Sequence, residues 1–482
     1  MVFASLNFLC VFFPLCMLAY FFAKNIKQKN TVLLVFSLVF YAWGEPVYIL
    51  LLLLMSFCDW LLALLIEQHK SKKKLFLIIT CIVNLGIIGI FKYGKFTLLN
   101  FQGLFGVPEK IPNIILPIGI SFYTFQLLSY VIDVYRGDVK AQKKFSIVLL
   151  YASLFHQCIA GPIVRYKDIE KQLLKRQPTV NSIHDGINRF CVGLAKKAVI
   201  ANMCGKLFEL FVVSDSLVNT PEAVSVVSQK SAASLWLGVL MFSMQIYLDF
   251  SAYSDMAIGM GKMIGLEYKE NFDYPYLSRS VSEFWRRWHI SLGSFFRDYV
   301  YFPLGGNRKG TGRTIFNLFV VWALTGLWHG ASWNYVLWGL YFFVFIALEK
   351  LFFGKALQKV PVLSNLYLLI IVYFGWILFK FENMSVMGAV LKGMFCLNKN
   401  SASDFETVTL LKGNLVFIIV AIIACTPLVS FISKKIKFRN GDNRNFSSAY
   451  GVLSVVMPPL LIALSLINIV GSSYNPFLYF QF

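Results

Sequence analysis

The chain has 482 residues, of which 57% are hydrophobic, 17% aromatic and 14% charged, and its mean hydropathy is +0.65. This composition excludes a water-soluble globular protein, whose surface needs a larger charged fraction. The 45 Lys and Arg against 24 Asp and Glu give a net charge of +21, which in a soluble chain would suggest nucleic-acid binding. Apolar runs of the roughly 20 residues that a transmembrane helix needs recur along the whole chain. The sequence therefore predicts a polytopic membrane protein.

The apolar runs predict about 11–12 membrane-spanning helices. They lie near residues 5–23, 31–43, 47–66, 75–91, 114–131, 190–213, 233–261, 314–331, 333–349, 363–380, 412–433 and 449–470. The first positive charges follow the first run instead of preceding it, which favours a first span over a cleaved signal peptide. A further apolar run, 146–162, ends in Ala160-Gly161-Pro162 and predicts a re-entrant or interfacial segment.

The basic residues predict the orientation of these spans, because Lys and Arg concentrate in cytoplasmic loops. Alternate loops along the chain hold 36 of the 45 Lys and Arg, whereas the opposite set of loops holds only eight. Both termini are therefore expected outside the cell. The positive net charge is then mainly a topological signal, and no nucleic-acid partner is expected.

The longest predicted cytoplasmic loop, 262–313, contains a helix signal with a basic face. Ser280 and Glu283 have the spacing of a capping box, and apolar residues recur every three or four positions from Val281 to Tyr299. This pattern predicts one amphipathic helix at the cytoplasmic interface. Its basic residues either anchor the helix on anionic lipid or form a docking face for an anionic cytosolic donor. The residues of such a face are Arg286, Arg287, Arg297, Arg308, Lys309 and Arg313.

A second polar site lies at Leu327-Trp328-His329-Gly330, at the predicted outer end of a span. An ionisable residue within the membrane is rare, because burying a charge or an unpaired polar group there is costly. His329 is therefore a candidate functional residue; the alternative is a neutral imidazole bonded to a neighbouring helix carbonyl. Gly326 and Gly330 favour a site, since residues without side chains let a ligand approach closely.

Four segments together resemble a known family. They are 249–256 (DFSAYSDM), 283–292 (EFWRRWHISL), 301–308 (YFPLGGNR) and 327–330 (LWHG). The set is similar to the membrane-bound O-acyltransferase family, and most similar to its branch of bacterial exopolysaccharide acetyltransferases of the alginate type. The resemblance covers nearly the whole chain, from 40–43 (FYAW) to 475–480 (NPFLYF).

The resemblance implies an all-α polytopic membrane fold in which re-entrant and amphipathic helices surround a trans-bilayer tunnel. It implies one domain over 1–482, with four parts in chain order. These are N-terminal helices (1–131), a catalytic core (132–350), C-terminal helices (351–470) and an extracellular aromatic tail (471–482). The chain would be an O-acyltransferase of the cell membrane.

The family's catalytic intramembrane histidine corresponds to His329, and its second, cytoplasmic-side histidine corresponds to His289. His329 would act as general base on an acceptor hydroxyl. His289 would line the cytosolic mouth of the tunnel and bond the thioester or pantetheine arm of the donor. Asn307 and Trp328 are weaker candidates for shaping the tunnel, and simple packing is the favoured interpretation of Trp328. The predicted topology places the two histidines on opposite sides of the membrane.

The uncharged C-terminal segment 471–482 has two interpretations. One is an interfacial aromatic anchor. The other follows from the related D-alanylation machinery, whose C-terminal tyrosine motif accepts an acyl group and is similar to Phe477-Leu478-Tyr479. On that interpretation Tyr479 relays the acetyl group to an extracellular partner.

The resemblance thus implies an acetyltransferase that serves an extracellular polysaccharide such as alginate or cellulose. It also implies that the donor is cytosolic acetyl-CoA or an acyl carrier protein and that an extracellular SGNH-type enzyme completes the transfer. No bound cofactor and no metal are expected, since no metal-ligand spacing or phosphate loop is visible. D-alanyl transfer to teichoic acid, peptidoglycan O-acetylation and, from another class, a glycolipid flippase are the alternatives. The absence of an apparent internal repeat disfavours a transporter.

Overall fold

The computed structural model describes residues 2–105, 115–432, 444–471 and 477–478. Helices dominate these residues, and no β-strand occurs among them. The predicted all-α architecture is confirmed. This is the expected result for a chain in lipid, because an α-helix satisfies its own backbone hydrogen bonds.

The chain forms two compact units, each assembled from separate stretches of sequence. The first unit comprises 1–190, 253–270 and 469–482, and the second comprises 191–252 and 271–468. The helices Val180–Ala195, Ala232–Met263 and Arg444–Val470 contain a boundary between the units. The sequential division into N-terminal, core and C-terminal parts remains a prediction.

The first unit contains the helices of the N-terminal third of the chain. They are Phe13–Phe22, Ile26–Gly44, Ile49–Gln68, Lys73–Ile88, Gly94–Phe105, Ile120–Arg136, Phe145–Ser153 and Tyr166–Leu174, with π-helical turns at Asn7–Phe12 and Gly89–Tyr93. The helix Phe145–Ser153 has nine residues and is too short to span a membrane. Irregular chain follows it and is buried throughout 154–165. Such backbone is tolerated at membrane depth where protein covers it, which supports the predicted re-entrant segment.

The second unit contains a further set of helices, some of which line the candidate site. They are Asn202–Phe211, Ala223–Gln229, Val281–Arg287, Ile290–Phe296, Gly310–His329, Trp333–Leu348, Gly354–Leu357, Pro361–Lys380, Met384–Met394 and Phe405–Ala424, with π-helical turns at Lys196–Ala201, Arg297–Tyr301 and Glu349–Phe353. The helices Gly310–His329 and Trp333–Leu348 pack closely, since a Cβ on Gly339 would lie 2.5 Å from the carbonyl oxygen of Trp322. Glycine is therefore required at this crossing.

Seven helical segments of the described chain are long and apolar enough to cross a membrane. They are Ile49–Gln68, Lys70–Phe101, Ala232–Met263, Trp333–Leu357, Pro361–Lys380, Phe405–Ala424 and Gly451–Val470. The other predicted spans also coincide with helices, but these are shorter or more polar. The protein is thus a multi-pass membrane protein.

The prediction of one amphipathic helix over 281–299 is wrong, because the structure divides this segment into two helices. Ser280 caps a first helix, Val281–Arg287, by accepting a hydrogen bond from the Glu283 amide at 3.0 Å, as predicted. A second helix, Ile290–Phe296, follows after a break at which His289 adopts φ 46° and ψ 54°. Few non-glycine residues occupy this left-handed region, although histidine is enriched there. The break turns His289 inwards, and its side chain is buried.

Candidate functional site

A cavity of about 730 Å³ lies within the second unit. Four stretches of chain line it: the two halves of the divided helix, the helix that ends at His329, and the segment 346–358. Its interior is mainly apolar, and its lining residues include Trp285, Trp288, His289, Phe296, Trp322 and His329. The two histidines singled out from the sequence therefore open onto the same cavity.

The ring of Trp328 lies between the two histidines. Its centroid is 5.8 Å from that of His289 and 5.0 Å from that of His329, both in edge-on geometry. Trp328 itself is buried and is not among the lining residues. Its indole therefore packs the histidines at a fixed separation, in agreement with the packing interpretation. Their placement on opposite sides of the membrane remains a prediction.

His329 is the last residue of the helix Gly310–His329 and is 6% exposed. Its imidazole packs edge-on against Trp338, with centroids 4.9 Å apart, and against Phe379 at 5.3 Å. A Cβ on Gly330 would overlap the ring of Tyr335. The glycine after the histidine is therefore required by close packing at the helix end.

His289 is held by a polar cluster at the helix break. Its Nδ1 lies 3.2 Å from Asn271 Oδ1, and the same oxygen accepts the backbone N–H of Ser291 at 3.1 Å and its hydroxyl at 2.9 Å. The ring of Phe250 packs edge-on against the imidazole at 4.8 Å. Burial lowers the pKa of His289 to about 3, so this imidazole is neutral at physiological pH.

The opening of the cavity is basic. Arg286, Arg297, Lys350 and Lys355 are exposed and line the cavity. Arg297 also forms an ion pair with Asp298 at 2.8 Å. The two arginines were predicted as part of a donor face, whereas the lysines were not predicted. They follow an apolar span by only a few residues, so the sequence indicates only a cytoplasmic loop there.

The other predicted donor residues lie away from the cavity lining. Arg287 instead pairs with Glu283 at 2.9 Å on its own helix and with Asp273 at 3.6 Å. Asn307 and Arg308 are exposed in a turn and are not among the lining residues. The geometry therefore supports neither donor binding by Arg287 and Arg308 nor a tunnel-shaping role for Asn307.

Glu349 is a cavity-lining residue that the sequence analysis missed. It is 5% exposed, and its carboxylate accepts the backbone N–H of Val281 at 2.5 Å, and the backbone N–H and hydroxyl of Ser282 at 3.0 and 2.7 Å. It thereby satisfies free N–H groups of the first turn of the helix Val281–Arg287. Glu349 lies 67 residues after Ser282 in the sequence, so no local sequence pattern indicates this role.

A buried ion pair lies within the helices of the second unit. Lys197 Nζ is 2.6 Å from Asp249 Oδ1, and the two side chains are 4% and 2% exposed. Lys197 belongs to a π-helical turn, and Asp249 precedes the phenylalanine that packs on His289. The pair neutralises two charges that could not otherwise be buried among apolar helices.

Tyr479, predicted as an acyl relay, lies outside the described residues. The two residues before it are buried in the first unit, and the Phe477 ring packs edge-on against Tyr253 with centroids 5.0 Å apart. These two residues are therefore packed against protein, and the interpretation of the whole tail as an interfacial anchor stays a prediction.

Comparison with known proteins identifies the relatives of the chain. The family model for MBOAT, the membrane-bound O-acyltransferase family, matches residues 145–391. A protein named probable alginate O-acetylase from Azotobacter vinelandii is 34% identical over the full length of both chains. A peptidoglycan O-acetyltransferase of Helicobacter pylori is 30% identical over 98% of this chain and 96% of its own. A teichoic acid D-alanyltransferase of Bacillus subtilis is 28% identical over 56% of this chain and 68% of its own.

Proposed function

The chain belongs to the membrane-bound O-acyltransferase family, and on that premise we propose that it transfers acetyl from cytosolic acetyl-CoA across the cell membrane for O-acetylation of an extracellular polysaccharide. The observation that carries this proposal is the cavity, because His289 and His329 both line it and its opening is basic. A hydroxyl acceptor needs a base, and a coenzyme A thioester needs partners for its phosphates. The cavity provides a histidine as the base and basic side chains as partners for the phosphates.

The proposed reaction moves an acetyl group from sulfur to oxygen. His329 removes the proton of the acceptor hydroxyl, and the oxygen attacks the thioester carbonyl carbon. The carbon–sulfur bond then breaks, and the leaving thiolate takes up the proton that His329 gained. The products are an acetyl ester and a free thiol. The proposed reaction therefore balances without a serine or cysteine nucleophile and without a cofactor.

The donor is proposed to enter from the basic end of the cavity. Arg286, Arg297, Lys350 and Lys355 would bind the phosphates of coenzyme A, for which guanidinium and ammonium groups are suited. The pantetheine arm would then extend along the apolar interior towards the histidines. The positive-inside pattern supports a cytoplasmic position for this end and an outside position for both termini.

An extracellular SGNH-type enzyme is proposed to pass the acetyl group to the polymer. Tyr479 is proposed to relay it from the tunnel to that partner. If the relay is real, Tyr479→Phe loses surface acetyl ester while the protein remains in the membrane; full acetylation by this variant would exclude the relay and leave the rest of the proposal intact.

Peptidoglycan O-acetylation is the second candidate. The Helicobacter pylori relative covers almost the whole of this chain at 30% identity, close to the 34% of the alginate-type relative. D-alanyl transfer is less favoured, since the Bacillus subtilis relative covers only 56% of this chain. The acceptor must therefore be identified by analysing the products.

The test is the O-acetyl content of surface polymers, measured by mass spectrometry after alkaline release. Cells carrying the wild type, His329→Ala or no copy are compared, with His184→Ala as a matched control because that histidine is 44% exposed and is not a lining residue of the cavity. We expect acetyl ester to be lost in the His329→Ala and null cells with polymer yield unchanged. Loss of D-alanyl ester instead, or loss of the polymer itself, would contradict the proposal and favour the teichoic acid or flippase function.

A further inference from the structure

We infer that Gly293 is the position at which the donor's pantetheine arm crosses the helix Ile290–Phe296, so that the absence of a side chain there determines whether the donor reaches the histidines. The inference rests on the proposed function, because it assigns the part of the cavity wall that the arm of the thioester donor contacts. It adds a specificity-determining residue that the sequence analysis did not single out.

Gly293 lies halfway between the basic opening of the cavity and a buried histidine. Its backbone N–H donates to the carbonyl of His289 at 3.1 Å, and its own carbonyl accepts the backbone N–H of Arg297. The three residues are thus stacked one helical turn apart, each about 6 Å along the helix axis from the next. All three line the cavity. A ligand that extends along this wall from Arg297 to His289 therefore passes Gly293.

The fold does not require glycine at this position. A Cβ on Gly293 would lie 3.5 Å from the carbonyl oxygen of Trp285, which is an ordinary van der Waals distance. The φ angle of Gly293 is not positive, so its backbone conformation suits other residues as well. Glycine inside a helix is also destabilising relative to alanine. Neither packing nor backbone conformation therefore explains the absence of a side chain.

Gly354, which also lines the cavity, shows the contrast. A Cβ on Gly354 would lie 2.5 Å from the carbonyl oxygen of Glu349, so close packing requires glycine there. Gly293 is instead exposed, and the space beside it belongs to the cavity. A side chain at position 293 would therefore project into the cavity and narrow it between the basic opening and the histidines.

The arm of the donor suits this passage by its position and its shape. In the proposed function the phosphates of coenzyme A lie at Arg297 and the other basic residues, whereas the thioester lies at His329. The pantetheine arm joins these two ends, so it must extend along the wall that contains Gly293. A wall without a side chain lets the atoms of this thin chain approach the helix backbone closely. The residue at position 293 therefore sets the width that is available to the arm.

The first test is protection of an introduced cysteine from labelling. Gly293→Cys in the detergent-solubilised protein is labelled with fluorescein maleimide, with and without desulfo-coenzyme A, which has the arm and the phosphates but no thiol. We expect labelling to slow about ten-fold when this ligand is present at roughly ten times its Kd, because most sites are then occupied. The wild type gives the background of the nine native cysteines.

Gly312→Cys is the matched control for labelling. Gly312 is also an exposed glycine within a helix and has open space around it, but it is not a lining residue of the cavity. Desulfo-coenzyme A should leave the labelling rate of Gly312→Cys unchanged. Protection of Gly293→Cys alone would place the ligand beside Gly293.

The second test is the KM for acetyl-CoA, measured as acetyl ester formed from radiolabelled acetyl-CoA in inside-out membrane vesicles that contain the protein and its partners. Gly293→Ala adds one methyl group and should leave KM within about two-fold of the wild type. Gly293→Leu should raise KM about ten-fold or more, because its side chain overlaps the path of the arm. Gly293→Trp should abolish transfer, whereas Gly312→Leu and Gly312→Trp should not change it.

Thermal unfolding separates a blocked passage from a damaged fold. The unfolding midpoints of Gly293→Ala and Gly293→Leu should not fall below that of the wild type, since a side chain at this position meets open space. Loss of transfer that follows a loss of stability would assign Gly293 a structural role and overturn the inference.

The remaining outcomes are distinct. Failure of Gly293→Cys to react, labelling that desulfo-coenzyme A does not slow, or a wild-type KM in Gly293→Trp would each overturn the passage at Gly293 and leave the proposed function intact. Absence of acetyl ester from acetyl-CoA with the wild type would overturn the proposed function and this inference with it.

Discussion

Removal of the Glu349 carboxylate should destabilise the helix that carries one wall of the cavity. Glu349→Ala leaves the backbone N–H groups of Val281 and Ser282 without their acceptor, at a site where Val281 is fully buried. A buried donor left unsatisfied costs about 1–3 kcal/mol. Two such donors and the lost charge at the helix N-terminus together predict a loss of about 3–5 kcal/mol in the free energy of unfolding.

Glu349→Gln should lie between the alanine variant and the wild type. Its amide oxygen can accept one of the two backbone N–H groups, but its amide nitrogen opposes the other and the negative charge is gone. We expect about half the loss of the alanine variant. Glu406→Ala is the matched control, because that glutamate is also in the first turn of a helix but its side chain is 66% exposed and lies 3.7 Å from Lys230. An exposed pair of this kind contributes less than about 1 kcal/mol.

The assay is thermal unfolding of the detergent-solubilised protein, together with surface acetyl ester in cells. Trp285 and Arg286 lie on the helix that Glu349 caps and line the cavity, so acetyl transfer should fall with stability in the order wild type, glutamine, alanine. An alanine variant as stable as Glu406→Ala, or a glutamine variant no better than alanine, would refute the reasoning that Glu349 acts as a cap.

Three further outcomes are expected. Lys197→Met should lower the free energy of unfolding by about 3–5 kcal/mol, because it removes the ammonium group that lies 2.6 Å from the buried Asp249 carboxylate. The double variant with Asp249→Leu should recover most of the loss in a denaturation assay. Gly330→Ala, whose Cβ would overlap a neighbouring tyrosine ring, should lose at least ten-fold in acetyl transfer, whereas Gly312→Ala, which has open space around it, should not. Because the pKa of His289 is lowered to about 3 in the fold from about 6.5 unfolded, its contribution to stability is full above pH 6.5 and is lost as pH falls towards 3. Between pH 7 and pH 5 the free energy of unfolding of the wild type should therefore fall by about 2 kcal/mol more than that of His289→Gln, as measured by denaturation at the two pH values. An equal fall in both proteins would contradict the lowered pKa of His289.

The fold was predictable from the sequence because hydropathy reports directly on the requirement that a spanning helix be apolar. Each of the twelve apolar runs contains a helix among the residues that the structure describes. The number that can cross a membrane was less predictable, since runs such as 114–131 and 190–213 become shorter or interrupted helices. Apolar composition does not distinguish a lipid-facing span from a helix buried in protein, and residues 120–134 are almost wholly buried.

The site was predictable only in part. His289 and His329 were found because their motifs are local, and both line the cavity. Lys350, Lys355 and Glu349 were missed, since their roles depend on where a distant helix lies and not on their neighbours in sequence. Arg287 and Arg308 were included because clustering of charge in sequence resembles clustering in space, but the helix directs Arg287 to Glu283. Asn307 was included through the family resemblance, and it lies outside the cavity lining.

The helix break at His289 explains why sequence and structure diverge at the candidate site. The apolar spacing continues through 281–299 at helical period, so every local signal favours one uninterrupted helix. The structure instead places His289 in a left-handed conformation, which costs about 1 kcal/mol or more for a non-glycine residue. Asn271 offsets that cost with hydrogen bonds from outside the helix. An uninterrupted helix would keep His289 on the polar side of the amphipathic pattern; the strained turn brings it into the cavity that His329 also lines. The departure from the sequence pattern is therefore the feature that assembles the two histidines into one site.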